Sequence, residues 1–341
     1  MFKLLAKDIL VGAFLIGAWR AGESIIYTWH LAKGYAIMMF RSRPVESVLT
    51  DPATPDSLKK RLLLAQEIRR YAQDSLGLKN TRAYTRFYEH SEGILYVLTA
   101  SEKYRLKPYL WRFPIAGCVS YKAFLDPIMA RREWERLLAA GYDVRLRIVD
   151  AWSTLGLFPD PLTTGLLRQD EGFLANVMFH EMFHTTLYIP DNTELSEGLA
   201  TVMGNAGALL YLRQKYGSES DPYIQHLKAL QEAQRVDQYL LHCAERLDSL
   251  YSSPFFQALD TMQKDSAKAA FFALLSAECF SRDTSWRPPC QSAARVLRTP
   301  NNANLVIARQ YHSEQLRRDT LFATPAAFRA YLRQLVDTYG R

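Results

Sequence analysis

The chain has 341 residues, 48% hydrophobic and 23% charged. That is ordinary globular composition with ample material for a core, which excludes a disordered or fibrous chain. The net charge is +7, but the basic residues are scattered among acidic ones. There is no basic stripe with interleaved aromatics, which argues against a nucleic-acid partner and leaves a mild attraction to anionic membrane surfaces.

The N-terminus, "MFKLLAKDILVGAFLIGAWR", places Lys3 and Lys7 before an apolar run from Ile9 to Trp19. The run is short for a membrane-spanning helix and suits a signal-peptide core. Two readings stand for residues 1–24: a signal or membrane-anchor segment, or a first helix of the folded domain. The first implies a cell-envelope location, periplasmic or anchored at the inner membrane, with membrane association through this segment. The second leaves a cytoplasmic location open.

Residues 25–341 are expected to form one domain in three parts: helical over 25–90, sheet-containing over 91–160 and helical over 161–341. "AGESIIYTWHLAKGYAIMMFRSR" reads as an amphipathic helix, and "PVESVLTDPATPDSLKKRLLLAQEIRRYAQDSLGL" as two more, with Pro55 and Asp56 marking the second start. "GILYVLTA", "YLWRFPIAGCVSY" and "YDVRLRIVDA" are rich in strand formers. In "VRLRIV" the arginines alternate with Val144, Leu146 and Ile148, which predicts a half-exposed edge strand with the arginines on the wet face. "DPIMARREWERLLAAG" reads as a helix closed by Gly141. From Pro161 onward the pattern is almost entirely helical. The fold class is α+β: a small, mostly antiparallel sheet followed by helices.

Cys118, Cys243, Cys279 and Cys290 show no CxxC spacing, so neither a cysteine–zinc site nor a redox motif is indicated. Cys279 and Cys290 could pair in an oxidising compartment, but buried free thiols are the expectation.

"NVMFHEMFHTTLY" carries two of the seven histidines four positions apart. Positions i and i+4 share a helix face, so His180 and His184 project side by side. Glu181, on the adjacent face, can reach a water held between them. This is the HExxH arrangement, in which two imidazoles bind zinc and the glutamate is the general base. The apolar spacing of Phe173, Leu174, Val177, Met178, Met182 and Phe183 supports the helix.

A catalytic zinc needs a third protein ligand and an open fourth position. "ELSEGLATVMGNAGALLYLRQKYG" begins the next helix, with Asn192 or Thr193 able to cap it. Glu194 and Glu197, three apart, share a face; the alternative for both is a first-turn carboxylate answering the helix dipole, which suits Glu194 well. Leu187 and Pro190 stand where a metzincin would have glycine and its third histidine, so that subclass is excluded. Glu197, 13 residues after His184, is the preferred third ligand for one Zn2+ per chain. Zincins commonly lay substrate against an edge strand beside the metal helix. "VRLRIVDAWSTLG" is the candidate strand, with Trp152, Ser153, Thr154, Leu155 and Gly156 as a candidate rim of the cleft or, equally, a plain tight turn. A second electrophile is expected for the oxyanion. Tyr311 and His312 are candidates, against a core aromatic role for Tyr311. Glu194 is a candidate to hold a substrate's free amine.

"FPIAGCVSY", "WSTLGLFPDPL", "FHEMFHTTLYIPDNTELSEGLAT" and "NNANLVIARQYH" resemble, in the same order, a bacterial family labelled zinc aminopeptidases, often lipoproteins. "YTWHLAKGYAIMMFRSRPVESVLTDPATP" resembles that family's N-terminal region. The resemblance implies a zincin-like, gluzincin-type metallopeptidase acting on peptides or proteins. In it His180, His184 and Glu197 match the metal positions and Glu181 the base. Two departures stand out. Ala21 to Ser24 occupy the region where the family often carries a lipidated cysteine, and Met182 and Phe183 are bulkier than the common Leu-Ala. The rivals are a non-catalytic zinc-stabilised envelope scaffold or binding protein, and a helical membrane-associated protein in which HExxH is accidental.

Overall fold

The computed structural model describes residues 27–90, 93, 95–113, 117–149, 159–189, 192–281, 284–310 and 322–340. It is mostly helical with small sheets, compatible with the α+β class. The first stretch is helical, as its sequence predicts: α1 over 27–41, α2 (Val45–Thr50) and α3 (Asp56–Asp74). α3 opens behind Pro55 and buries Leu62, Ala65, Ile68 and Ala72, a three- and four-residue spacing that gives one apolar face.

Among the described residues eight short strands are interspersed with the helices: β1 (Arg43–Pro44), between α1 and α2, then β2 (Arg86–Tyr88), β3 (Leu95–Glu102), β4 (Trp111–Phe113), β5 (Gly117–Val119), β6 (Tyr121–Phe124), β7 (Tyr142–Val149) and β8 (Leu162–Thr163). They pair as β6-β3-β7, as the hairpin β4-β5, and as β1-β2-β8. Every pairing is antiparallel except β2 with β8. α4 (Pro127–Ala139) returns the chain to β7. Its N-cap Asp126 accepts from the Ile128 amide at 2.8 Å, and Gly141, at φ +82°, makes the left-handed turn into the strand.

β7 is an edge strand of its sheet, but its wet face is the reverse of the sequence expectation along the second half. Val144 is buried, while Leu146 and Ile148 are exposed and Arg145 and Arg147 half-buried. Alternation fixes only that successive side chains alternate in side. Which side is covered depends on elements outside the strand.

The helical part comprises α5 (Thr164–Arg168), α6 (Glu171–Thr186), α7 (Thr193–Tyr216), α8 (Asp221–Ser252), α9 (Pro254–Ala258), α10 (Thr261–Phe280), α11 (Arg287–Leu297), α12 (Ala303–Gln310) and α13 (Pro325–Tyr339). One core joins α3, α6, α7 and α13 through Ile68, Phe179, Phe183, Leu212 and Phe328. A second joins α8, α10, α11 and α12 through Leu247, Phe272, Ala293 and Leu305.

Cys279 and Cys290, expected as free thiols, are disulfide-bonded, with Cα atoms 5.4 Å apart. The last turn of α10 and the first turns of α11 face each other across a short connection, a proximity that linear spacing does not reveal. The second core is fastened to the sheet by Lys268 of α10. This buried ammonium ion-pairs with Asp143 of β7 and donates to the Lys103 carbonyl at 2.9 Å. Asn302 completes the joint, its amide donating to Asp143 at 2.6 Å and its side chain accepting from the Tyr251 hydroxyl at 2.9 Å. Among the described residues no helix is long and apolar enough to cross a membrane.

Candidate metal centre

α6 carries the HExxH segment. Asp170 caps it by accepting from the Phe173 amide at 2.8 Å, and the helix ends at Thr186, with Leu187 extended. Its apolar side, Leu174, Ala175, Met178, Phe179, Met182 and Phe183, is buried. This burial fixes the rotation of the helix and so aims the histidine face at α7. α7 starts where Asn192 accepts from the Leu195 amide at 3.1 Å. Glu197 and Gly204 are seven residues apart, nearly two turns, and share one face of α7. Gly204 and Gly207 lie against Asn176, His180 and Phe179 with no room for a Cβ. These glycines let α7 close on α6, which brings Glu197 to the histidines.

The Nε2 atoms of His180 and His184 are 3.2 Å apart. The Glu197 carboxylate lies 3.4 Å from His180 Nε2 and 3.6 Å from His184 Nε2. All three donors fall within 4.8 Å of one another. A tetrahedral zinc with bonds of about 2.0–2.1 Å holds its donors roughly 3.3 Å apart, so this triangle has the size such an ion requires. Two imidazole nitrogens and a carboxylate oxygen are also a donor set that zinc accepts while leaving a fourth position open. His184 is buried, His180 and Glu197 nearly so. Burial opposes ionisation of Glu197, but the two facing imidazoles outweigh it and hold the carboxyl far below the usual carboxylate range. The buried Nδ1 of His184 has no hydrogen-bond partner among the described residues.

Glu181 follows His180 on α6 and is half-buried. Tyr84, which the sequence reading did not single out, lies close enough to Glu181 to feel its charge. It is fully buried, and burial first, then the charges of Glu181 and Asp160, push its phenol well above the ordinary value. Its hydroxyl is unpartnered among the described residues. Its backbone sits at φ +63°, an uncommon conformation for a bulky residue. Two contacts hold it there: the Tyr84 amide donates to the Asp160 carbonyl at 2.7 Å, and Gln66 donates to the Tyr84 carbonyl at 2.8 Å. Nothing in "RAYTRFY" signals this, because the sequence does not show a positive φ at a tyrosine.

The structure thus brings His180, His184 and Glu197 together and sets Glu181 beside them. Glu194 lies in the first turn of α7, and its side chain is outside the described residues. Trp152, Ser153, Thr154, Leu155, Gly156, Tyr311 and His312 also lie outside them. A cavity of about 320 Å³ between α3 and α7, lined by Glu67, Tyr71, Tyr211 and Lys215 among others, includes none of the four centre residues. Lys215 in its wall pairs with Glu67 and with Glu171 nearby.

The model of a family described as "Putative aminopeptidase" matches residues 26–337. The chain belongs to this family. No curated protein and no solved structure matches it. The family description points to a peptidase, a hydrolase of peptide bonds, and the converging donors of α6 and α7 lie within the matched span.

Proposed function

We propose that this member of the aminopeptidase family is a zinc-dependent peptidase of gluzincin type and zincin-like architecture, trimming residues from the N-termini of peptides. The observation that carries the reading is the triangle of His180, His184 and Glu197 donors with Glu181 next to it on the same helix. His180, His184 and Glu197 would hold one zinc per chain. When bound, the ion supplies Lewis acidity, lowering the pKa of a water and polarising the scissile carbonyl.

The chain's own residues do the rest. Glu181 accepts the proton of the attacking water at its carboxylate and delivers it to the leaving amine. The ionised Glu197 balances charge in a buried setting. Tyr311 is proposed as the hydrogen-bond donor to the oxyanion, Glu194 as the anchor for the substrate's free amine, and Trp152 to Gly156 as the rim of the cleft. The proposed location is the cell envelope, with membrane association through the N-terminal segment. The disulfide of α10 and α11 supports this, because such bonds persist in oxidising compartments.

The test is Glu181→Gln. It should keep the zinc content of the wild type and lose hydrolysis of amino-terminal amide substrates by about 10²–10⁴-fold, the range for losing a general base. A Glu181→Gln enzyme that hydrolyses at the wild-type rate rules out this mechanism.

A further inference from the structure

α1 is apolar on two sides. Its inner side, Tyr27, Leu31 and Met38, packs on the sheet. Gly34 allows the approach, since a Cβ there would meet the Leu125 side chain at 2.8 Å. The Tyr27 hydroxyl donates to the Ala123 carbonyl at 2.7 Å. The helix is therefore held in a fixed rotation. Its outer side carries Trp29 at 67% exposure, Ile37 at 43% and Phe40 at 92%. At 100° per residue, Trp29, Lys33, Ala36, Ile37 and Phe40 fall in one outward stripe. Exposed large apolar side chains scattered singly need no explanation, but three on one face of one helix do.

The charges carried by α1 itself and its flanks are one-sided. From Ser24 to Val45 there is no acidic residue, while Lys33, Arg41 and Arg43 are present. Arg43 is paired with Asp51 at 2.7 Å; Lys33 and Arg41 are exposed. A tryptophan and a phenylalanine on one face with cationic side chains alongside is the composition of a helix lying in a lipid interface. Lysine suits the middle of such a stripe because its stem lies along apolar surface while its ammonium reaches the headgroups. The chain also enters α1 directly from the segment with the apolar run Ile9 to Trp19.

A second copy fits less well. Three such side chains offer on the order of 400 Å², against about 800 Å² per partner in a stable dimer. A two-fold contact across the stripe would also bring Lys33 close to its own symmetry mate.

We propose that the outer stripe of α1, Trp29, Ile37 and Phe40 with Lys33 and Arg41, is a seat for an anionic membrane surface. It orients the folded domain on the bilayer independently of any insertion by residues 1–26. The proposal does not rest on the peptidase reading, because none of these residues belongs to the metal centre.

The test uses the full chain with Cys118→Ser and an environment-sensitive fluorophore on Phe40→Cys. A matched control carries the label on Gln231→Cys, an exposed position of α8. The probes are vesicles of phosphatidylcholine alone and of phosphatidylcholine mixed with phosphatidylglycerol. The expected result is a blue shift at position 40 with the anionic vesicles, no shift at position 231, and a weaker response as salt is raised. Failure to bind the anionic vesicles overturns the proposal. So does a label at position 40 that stays aqueous on vesicle-bound chain, because residues 1–26 then hold the protein alone. A blue shift without lipid also overturns it. If that shift grows with protein concentration, a second copy covers the stripe; if it is independent of concentration, residues 1–26 do.

Discussion

Gly204 of α7 and His180 of α6 stand in direct contact: a Cβ on Gly204 would lie 3.2 Å from the His180 Cβ and 2.9 Å from the Asn176 carbonyl oxygen. The second contact is with backbone and cannot be relieved by a rotamer change. Gly204→Ala must therefore push α7 away from α6, and Glu197 moves with it. We expect a destabilisation of about 1–3 kcal/mol, as for overpacking elsewhere, and a weaker zinc affinity. Gly207→Ala meets the buried Phe179 ring and the Leu76 side chain instead of backbone and should cost stability while leaving zinc affinity near wild type. Thermal unfolding and zinc titration of the two variants check this. Equal zinc affinity in Gly204→Ala and wild type would contradict it.

The buried pair Lys268–Asp143 should be a point of fragility. Each charge is compensated by the other and by Lys103 and Asn302. Removing one partner strands the other in the interior, at a typical cost of 3–5 kcal/mol, whereas replacing both with apolar residues costs far less. Asp143→Leu alone should therefore lower the denaturant midpoint strongly, and Asp143→Leu with Lys268→Met should recover much of the loss. A double variant worse than the single one would contradict this account.

Glu133 predicts a specific acid lability. Burial alone would raise its pKa, but Arg136, Trp111 and Lys122 together bring it down to about 2 from 4.5. The Trp111 indole donates to it at 2.8 Å and Arg136 binds both oxygens. A depressed carboxylate stabilises the fold fully above its unfolded pKa, and the contribution is lost as pH falls towards the folded value. The contribution, on the order of 3 kcal/mol at neutral pH, should disappear between about pH 4.5 and 2. In urea melts against pH, Glu133→Gln should be less stable than wild type at pH 7, and the gap should close as the acid range is crossed. A constant gap would refute the assignment.

Much of the centre was legible because its chemistry and its geometry have the same period. Two histidines four apart on an apolar helix must share a face, and Glu197 follows at a return distance that a helix–turn–helix can span. The partner that makes the return tight was not legible. Gly204 reads as a small residue in a helix until α6 is seen against it. Tyr84 was missed because its left-handed backbone is held by contacts with Asp160 and Gln66, far apart in the chain. The face of β7 and the Cys279–Cys290 bond were misread for the same reason. Each depends on which distant element covers a residue, and neither strand alternation nor cysteine spacing encodes that.

The most direct test is metal content per chain, measured on wild type, His184→Ala and Glu197→Ala purified without affinity metals. The account predicts one zinc in wild type and a sharp fall in both variants while their circular dichroism stays helical. A wild-type chain without zinc even after supplementation, or a Glu197→Ala chain that keeps its zinc, would contradict the assignment of this centre.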